Sequence, residues 1–314
     1  MDFIPHTPAE IDEMLRIIGV HSISDLFAAI PEGFRLNKEL ALPDAMSEAE
    51  VLASMRELAC RNATTSSISS FVGGGAYAHY VPAAVHHLLS RSDFYTAYTP
   101  YQPEVAQGTL QAQFEYQTMV AGLLGMDVAN ASMYEGATAL AEACLMTGRA
   151  TRRRKVLVSR AVHPEYRDVL KTYLGVDRLA DIPLTDSGET DLEALSGLLD
   201  GEVGTVVVQS PNYFGIVEDI RAFSEAAHAN GAMMVATFTE ALSFGLIESP
   251  GALGADVAAG EGQSLGLPLS FGGPYIGFFA VKTSLVKGMP GRLIGRTEDS
   301  SGKTCYTLTL AARE

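Results

Sequence analysis

Residues 94–146 read FYTAYTPYQPEVAQGTLQAQFEYQTMVAGLLGMDVANASMYEGATALAEACLM, a loop of aromatic residues and prolines that runs into two helical stretches. Phe94, Tyr95, Tyr98 and Tyr101 place four aromatic rings in eight residues, with Tyr116 and Tyr134 further on. Aromatic rings clustered in a loop cost solvation when left exposed, so they are expected to line something. After them, Leu110, Phe114, Ala121 and Leu124 share one face of a 3.6-residue period, and Gly125 stands where a helix stops. A second helix opens at Gly136-Ala137-Thr138. Small residues at a helix start let backbone N–H groups approach an anion, so this turn is a candidate phosphate or carboxylate cradle. Tight packing of the helix start against a neighbouring element accounts for the same residues.

With 314 residues, 47% of them apolar, the chain can fill a large core. Its net charge of −15 argues against a nucleic-acid or membrane partner. The one basic cluster, Arg149, Arg152, Arg153, Arg154, Lys155 and Arg160, follows the second helix, where cations complement a helix C-terminus. Cys60, Cys144 and Cys305 are three widely spaced cysteines without C-x-x-C, which predicts neither a disulfide framework nor zinc and suggests a reducing cytoplasm. The start at Met1-Asp2-Phe3 lacks a basic n-region, and no apolar run reaches transmembrane length.

Residues 1–60 read as an N-terminal helical arm suited to clasping a partner, and a helical layer packed on its own domain fits them equally well. Thr7 with Glu10 and Ser47 with Glu50 form capping-box patterns, and Pro31, Gly33 and Pro43 mark the connection between them. Gly73-Gly74-Gly75 precedes a helix beginning near Pro82. His79, His86 and His87 have no partner at a metal-ligand spacing, so no metal site is expected.

Within residues 61–314, the chain from Lys155 onward alternates short β-rich runs with amphipathic helical stretches, an α/β pattern. Strands are predicted at 156–158, 182–184, 203–208, 232–237, 275–281 and from 257, with helices at 165–174, 191–199 and 220–230 between them. This alternation predicts a mostly parallel sheet flanked by helices, with ligands at the strand C-termini. The loops there are 161–164, 210–215, 237–240 and 261–264.

FYTAYTPYQPEVAQGTLQAQFEYQTM, GMDVANASMYEGATALAEA and SPNYFGIVED together resemble the glycine decarboxylase (P-protein) family of the glycine cleavage system, in its N-terminal-half type. The resemblance implies the large domain of a pyridoxal-phosphate (PLP) fold type I transferase, in an α2β2 assembly with a homologous catalytic subunit. That assembly decarboxylates glycine and passes the aminomethyl group to the lipoyl arm of the H-protein. It also implies a longer chain with a small C-terminal domain, so that the stop at Ala311-Ala312-Arg313-Glu314 marks a truncated form.

Carried over by motif, the resemblance places Gln263-Ser264 where the family's catalytic subunit has its His-Lys pair, and no lysine lies between Lys171 and Lys282. Thr237 falls where the pyridine-binding aspartate would be, with Glu240 the nearest acid; His163 falls at the ring-stacking position and Asn212 at the position contacting the phenolic oxygen. These positions, with Gly136, Ala137, Thr138 and Ser264, are then vestiges of a cofactor site, and PLP belongs to the partner. With the active site at a subunit interface, as the resemblance implies, Tyr95, Tyr98, Tyr101, Gln102 and Glu104 are expected to form a wall of the partner's substrate pocket, the alternative being that the rings pack the loop against this chain's own sheet. An independent PLP aminotransferase or lyase and a purely scaffolding homologue are the alternatives.

Overall fold

A computed structural model describes residues 5–36, 38–64 and 67–310. The stretches read above for a leader and for truncation, 1–3 and 311–314, lie outside them. The chain divides into two compact units, Met1–Ser67 and Ile68–Glu314.

In the first unit, α1 (Pro8–Ile18) and α2 (Glu48–Cys60) start as their capping boxes predict. The Thr7 amide donates to Glu10 Oε2 at 2.7 Å while the Glu10 amide donates back to Thr7 Oγ1, and Ser47 and Glu50 repeat the arrangement. Each box satisfies orphan N–H groups at the helix start. Neither helix buries a residue; Ile17, Ile18, Leu52 and Leu58 remain exposed.

The second unit begins with α3 (Ala83–Leu89), α4 (Ser92–Tyr95) and α5 (Gln107–Leu124), followed by β1 (Val128–Ala129) and α6 (Gly136–Thr151). Then come β2 (Lys155–Ser159), α7 (Pro164–Leu174), β3 (Leu179–Ile182), α8 (Leu192–Leu198), β4 (Val203–Gln209), α9 (Ile220–Ala229), β5 (Met233–Phe238), β6 (Val257–Glu261) and β7 (Gly277–Val281). The sheet order is β1-β7-β6-β5-β4-β2-β3. β6, β5, β4, β2 and β3 are parallel, whereas β7 runs antiparallel to β6 and to β1, so the mostly parallel sheet is present. β3 lies three residues earlier than the pattern predicts, because Pro183 has no N–H to extend the ladder.

Strand alternation divides the core between two layers. Val206, Val208, Met234, Ala236 and Phe238 pack against Val120 and Leu124 of α5 and Ile220 and Phe223 of α9. Val156, Val158, Val207, Val235 and Ala259 pack against Leu140 and Met146 of α6 and Tyr166 and Leu170 of α7. α5, with Leu110, Ala121 and Leu124 buried, also secures a hairpin that the periodicity did not reveal, β8 (Leu293–Glu298) with β9 (Thr304–Thr309). The Gln117 side-chain amide exchanges hydrogen bonds with the Ile294 backbone at 2.9 and 3.0 Å, and Gln107 does the same with Tyr306.

Candidate functional site

Ser159, Gln209, Thr237 and Glu261 stand at the C-terminal ends of β2, β4, β5 and β6, with His163 and Asn212 in the loops that follow β2 and β4, and Glu261 reaches the start of α6. The α6 amides are occupied from within the chain. Gly136 donates to Glu261 Oε2 at 3.0 Å, while Ala137 and Thr138 donate to the Glu135 carboxylate at 2.6 and 2.9 Å. The other Glu261 oxygen accepts from the amides of Gly262, Gln263 and Ile276 at 3.1 to 3.2 Å. Two carboxylates thus take the place at the positive end of the helix dipole that an external anion would use. Burial pushes the Glu261 carboxyl above its ordinary range, and the surrounding amides pull it back.

Gly136 owes its identity to close approach. A Cβ there would stand 2.0 Å from Tyr166 Oη and 2.8 Å from the Glu261 nitrogen, so only glycine lets α6 reach the end of β6.

The remaining positions are engaged likewise. His163 Nδ1 accepts from the Glu165 amide at 3.2 Å, which leaves the proton on Nε2 to donate to Gly74 O at 2.8 Å. Its ring lies 5.2 Å from that of Tyr213 and 5.3 Å from that of Tyr166. Asn212 Nδ2 donates to Glu218 and Gly188 O, and its Oδ1 accepts from the amides of Phe214 and Ile216, so no bonding capacity remains for a phenolic oxygen. Gln263 is turned toward the chain ahead of α3, bonding both backbone groups of Tyr77 and Leu267 O. Thr237 Oγ1 and Ser264 Oγ are buried without a hydrogen-bond partner. Glu240 is paired with His79 at 2.8 Å. Lys282 lies beyond the opposite end of β6, held by Asp256 at 2.9 Å and Gly254 O at 3.1 Å.

These residues do not fit PLP. A Schiff base needs a lysine amine, and an electron sink needs an acid at the pyridine nitrogen. Gln263-Ser264 and Thr237 supply neither, and Glu261 with Glu135 holds the amides that would take the phosphate. Both glutamates escaped the sequence argument. Glu261 stands 125 residues from the amide it accepts, and nothing local signals the contact.

The aromatic loop forms a second locus. Tyr95, Tyr98 and Tyr101 are exposed, Tyr98 by 88%, as are Gln102 and Glu104. Tyr98 and Tyr134 line a cleft of about 770 Å³ with Arg292 and Glu142. Arg292, which the sequence did not single out, donates to Tyr101 Oη at 2.9 Å and lies 5.4 Å from the centroid of its ring. Among the described residues there is no group of three or more His, Cys, Asp or Glu placed to hold a metal ion.

Residues 1–314 match the family model for the glycine cleavage system P-protein. The chain belongs to that family. It is 52% identical over 317 residues to the probable glycine dehydrogenase (decarboxylating) subunit 1 of Moorella thermoacetica, covering 100% of this chain and 70% of that protein. Among solved structures it resembles a crystal structure of glycine decarboxylase (P-protein) of the glycine cleavage system in inhibitor-bound form, with 51% identity, a TM-score of 0.87, and coverage of 99% of this chain and 69% of that one. The P-protein fold extends to more distant structures: a sphingosine-1-phosphate lyase from Burkholderia pseudomallei is 15% identical with a TM-score of 0.60 over 90% of this chain and 67% of that one. The fold type I architecture inferred from the motifs is therefore the observed one. Among the described residues no helix is long and apolar enough to cross a membrane.

Proposed function

We propose that this P-protein chain serves as subunit 1 of glycine dehydrogenase (decarboxylating) in the glycine cleavage system, and that PLP is held by a homologous subunit 2 rather than here. The observation that carries this division of labour is the Gly136 amide donating to Glu261 in a family member that has no lysine at Gln263-Ser264. A chain whose anion cradle is filled by its own carboxylate contributes structure and pocket wall, not cofactor chemistry. The large domain, residues 61–314, supplies the wall, and the helical arm, 1–60, with its exposed Ile17, Ile18 and Leu58, offers apolar surface to a partner in an α2β2 cytoplasmic assembly.

The wall consists of Tyr95, Tyr98, Tyr101, Gln102 and Glu104. Glycine has no side chain to grip, so its recognition rests on hydroxyl and amide groups around the carboxylate and amine, with rings excluding water. Exposure of all five residues supports their reaching a neighbour, and the Arg292 bond holds Tyr101 in place. The aminomethyl product passes to the lipoyl arm of the H-protein.

The test is reconstitution with subunit 2. Tyr98→Phe and Gln102→Ala should lower glycine decarboxylation by on the order of ten- to a hundredfold, the worth of one hydrogen bond to a charged group. Complex size and PLP absorbance should stay unchanged. Full activity in both variants, or loss through dissociation alone, would remove the loop from the substrate pocket.

A further inference from the structure

A second concave site lies away from the positions discussed above. A cleft of about 390 Å³ is lined by Arg152, Arg154, Lys155, Arg178, Asp177 and Glu202, with Arg153 beside them. It is built where α6 ends, β2 begins and the turn Val176–Arg178 follows α7.

The basic residues divide sharply by what they already do. The Arg153 guanidinium donates to Val203 O at 3.2 Å and Asn230 O at 2.9 Å, Lys155 pairs with Asp200 at 2.7 Å, and Arg149 reaches Gly288 O at 3.4 Å. Those three are already engaged within the chain. The side chains of Arg152, Arg154 and Arg178 make no hydrogen bond or ion pair among the described residues, although Asp177 and Glu202 line the same cleft. Complementing the C-terminus of α6 accounts for Arg149 and Arg152 but not for Arg178, which arrives from a different segment. Arg152 also occupies a left-handed position (φ 57°) where glycine or asparagine is ordinarily found, so backbone preference does not explain the arginine.

We propose that this cleft is a binding site for a compact, multiply charged phosphate anion of the pyrophosphate class. Three guanidinium groups without partners, on two chain segments around one concavity, match several phosphate oxygens through paired N–H donors. The size of the ligand follows from the rest of the chain. At −15 overall, an extended polyanion would be repelled beyond the cleft, whereas a small one gathers the local positive charge without meeting the remaining surface. The site is independent of the glycine chemistry proposed above.

Calorimetric titration of the full chain with inorganic pyrophosphate tests it. One equivalent should bind, more weakly as salt is raised, and Arg154→Gln or Arg178→Gln should each raise the Kd by on the order of tenfold. Arg221→Gln, which removes an exposed ion pair with Glu248, should leave it unchanged. No saturable heat, or equal affinity in all variants, would reduce the cluster to a solvated helix end. A hexaglutamate peptide binding more tightly than pyrophosphate at the same arginines would make the cleft a docking surface for an acidic protein and overturn the proposal.

Discussion

The Gly136 amide donates to Glu261 across 125 residues of sequence at 3.0 Å, and this contact joins the start of α6 to the end of β6. The N-terminus of α6, a favourable place for negative charge, is occupied by the chain's own carboxylates.

Adding one methyl group at Gly136 should show how tight that junction is. Gly136→Ala would push a Cβ against Tyr166 Oη and against backbone atoms of Gly260 and Glu261 that cannot rotate away. A loss of about 1–3 kcal/mol is expected from overpacking, read from chemical denaturation. Tyr166→Phe in the same chain relieves only the hydroxyl clash and should restore a part of it. A Gly136→Ala chain as stable as the parent would mean that α6 can retreat from β6.

Glu261→Gln tests the charge rather than the space. The variant keeps one carbonyl oxygen but turns an NH₂ group toward amides that can only donate, so about 1–3 kcal/mol should be lost. Unchanged thermal stability would show that water satisfies those amides equally well.

No lysine of this chain should form a Schiff base. After incubation with PLP and borohydride reduction, peptide mass spectrometry should find no stoichiometric pyridoxyl-lysine. Lys282 is the first lysine after Gln263, yet it sits beyond the far end of β6 in an ion pair with Asp256. A label there at one equivalent would contradict the division of labour between subunits.

Alkali should destabilise the fold through three buried groups. Burial raises the Cys144 thiol above its ordinary 9.0 and the Tyr116 and Tyr166 phenols above 10.0. In each case the unfolded chain ionises first. The stability these groups contribute is therefore complete below pH 9 and falls as pH climbs past 9 and then 10 toward the raised values, at about 1.4 kcal/mol per pH unit for each group in play. Tyr116→Phe separates one of them. The Tyr116 hydroxyl is buried without a hydrogen-bond partner, and its ring packs edge-on against Phe278 at 5.9 Å, a contact phenylalanine keeps. The variant should match or exceed the parent at pH 7 and lose stability less steeply above pH 10 in urea titrations. Parallel alkaline slopes would place the effect elsewhere.

Local signals determined a large part of this chain without coordinates. Thr7 with Glu10, Ser47 with Glu50, Gly125 after α5 and the apolar run at β4 each act within a few residues, so their hydrogen bonds and periods are written in order along the sequence. The family resemblance rests on motifs equally contiguous, and from it comes the proposal that Gln263-Ser264 and Thr237 stand where a lysine and an acid would serve PLP. What the side chains around them bond to was decided only by the tertiary structure. Glu261 on Gly136, Gln263 on Tyr77, Arg292 on Tyr101 and Gln117 on Ile294 join residues more than 120 apart, and a side chain that caps a distant helix or completes a strand edge carries no periodicity to betray it. The β8–β9 hairpin was missed for the same reason: its anchoring to α5 comes from glutamine amides that imitate a backbone, a match of donor and acceptor that exists only once the chain has folded.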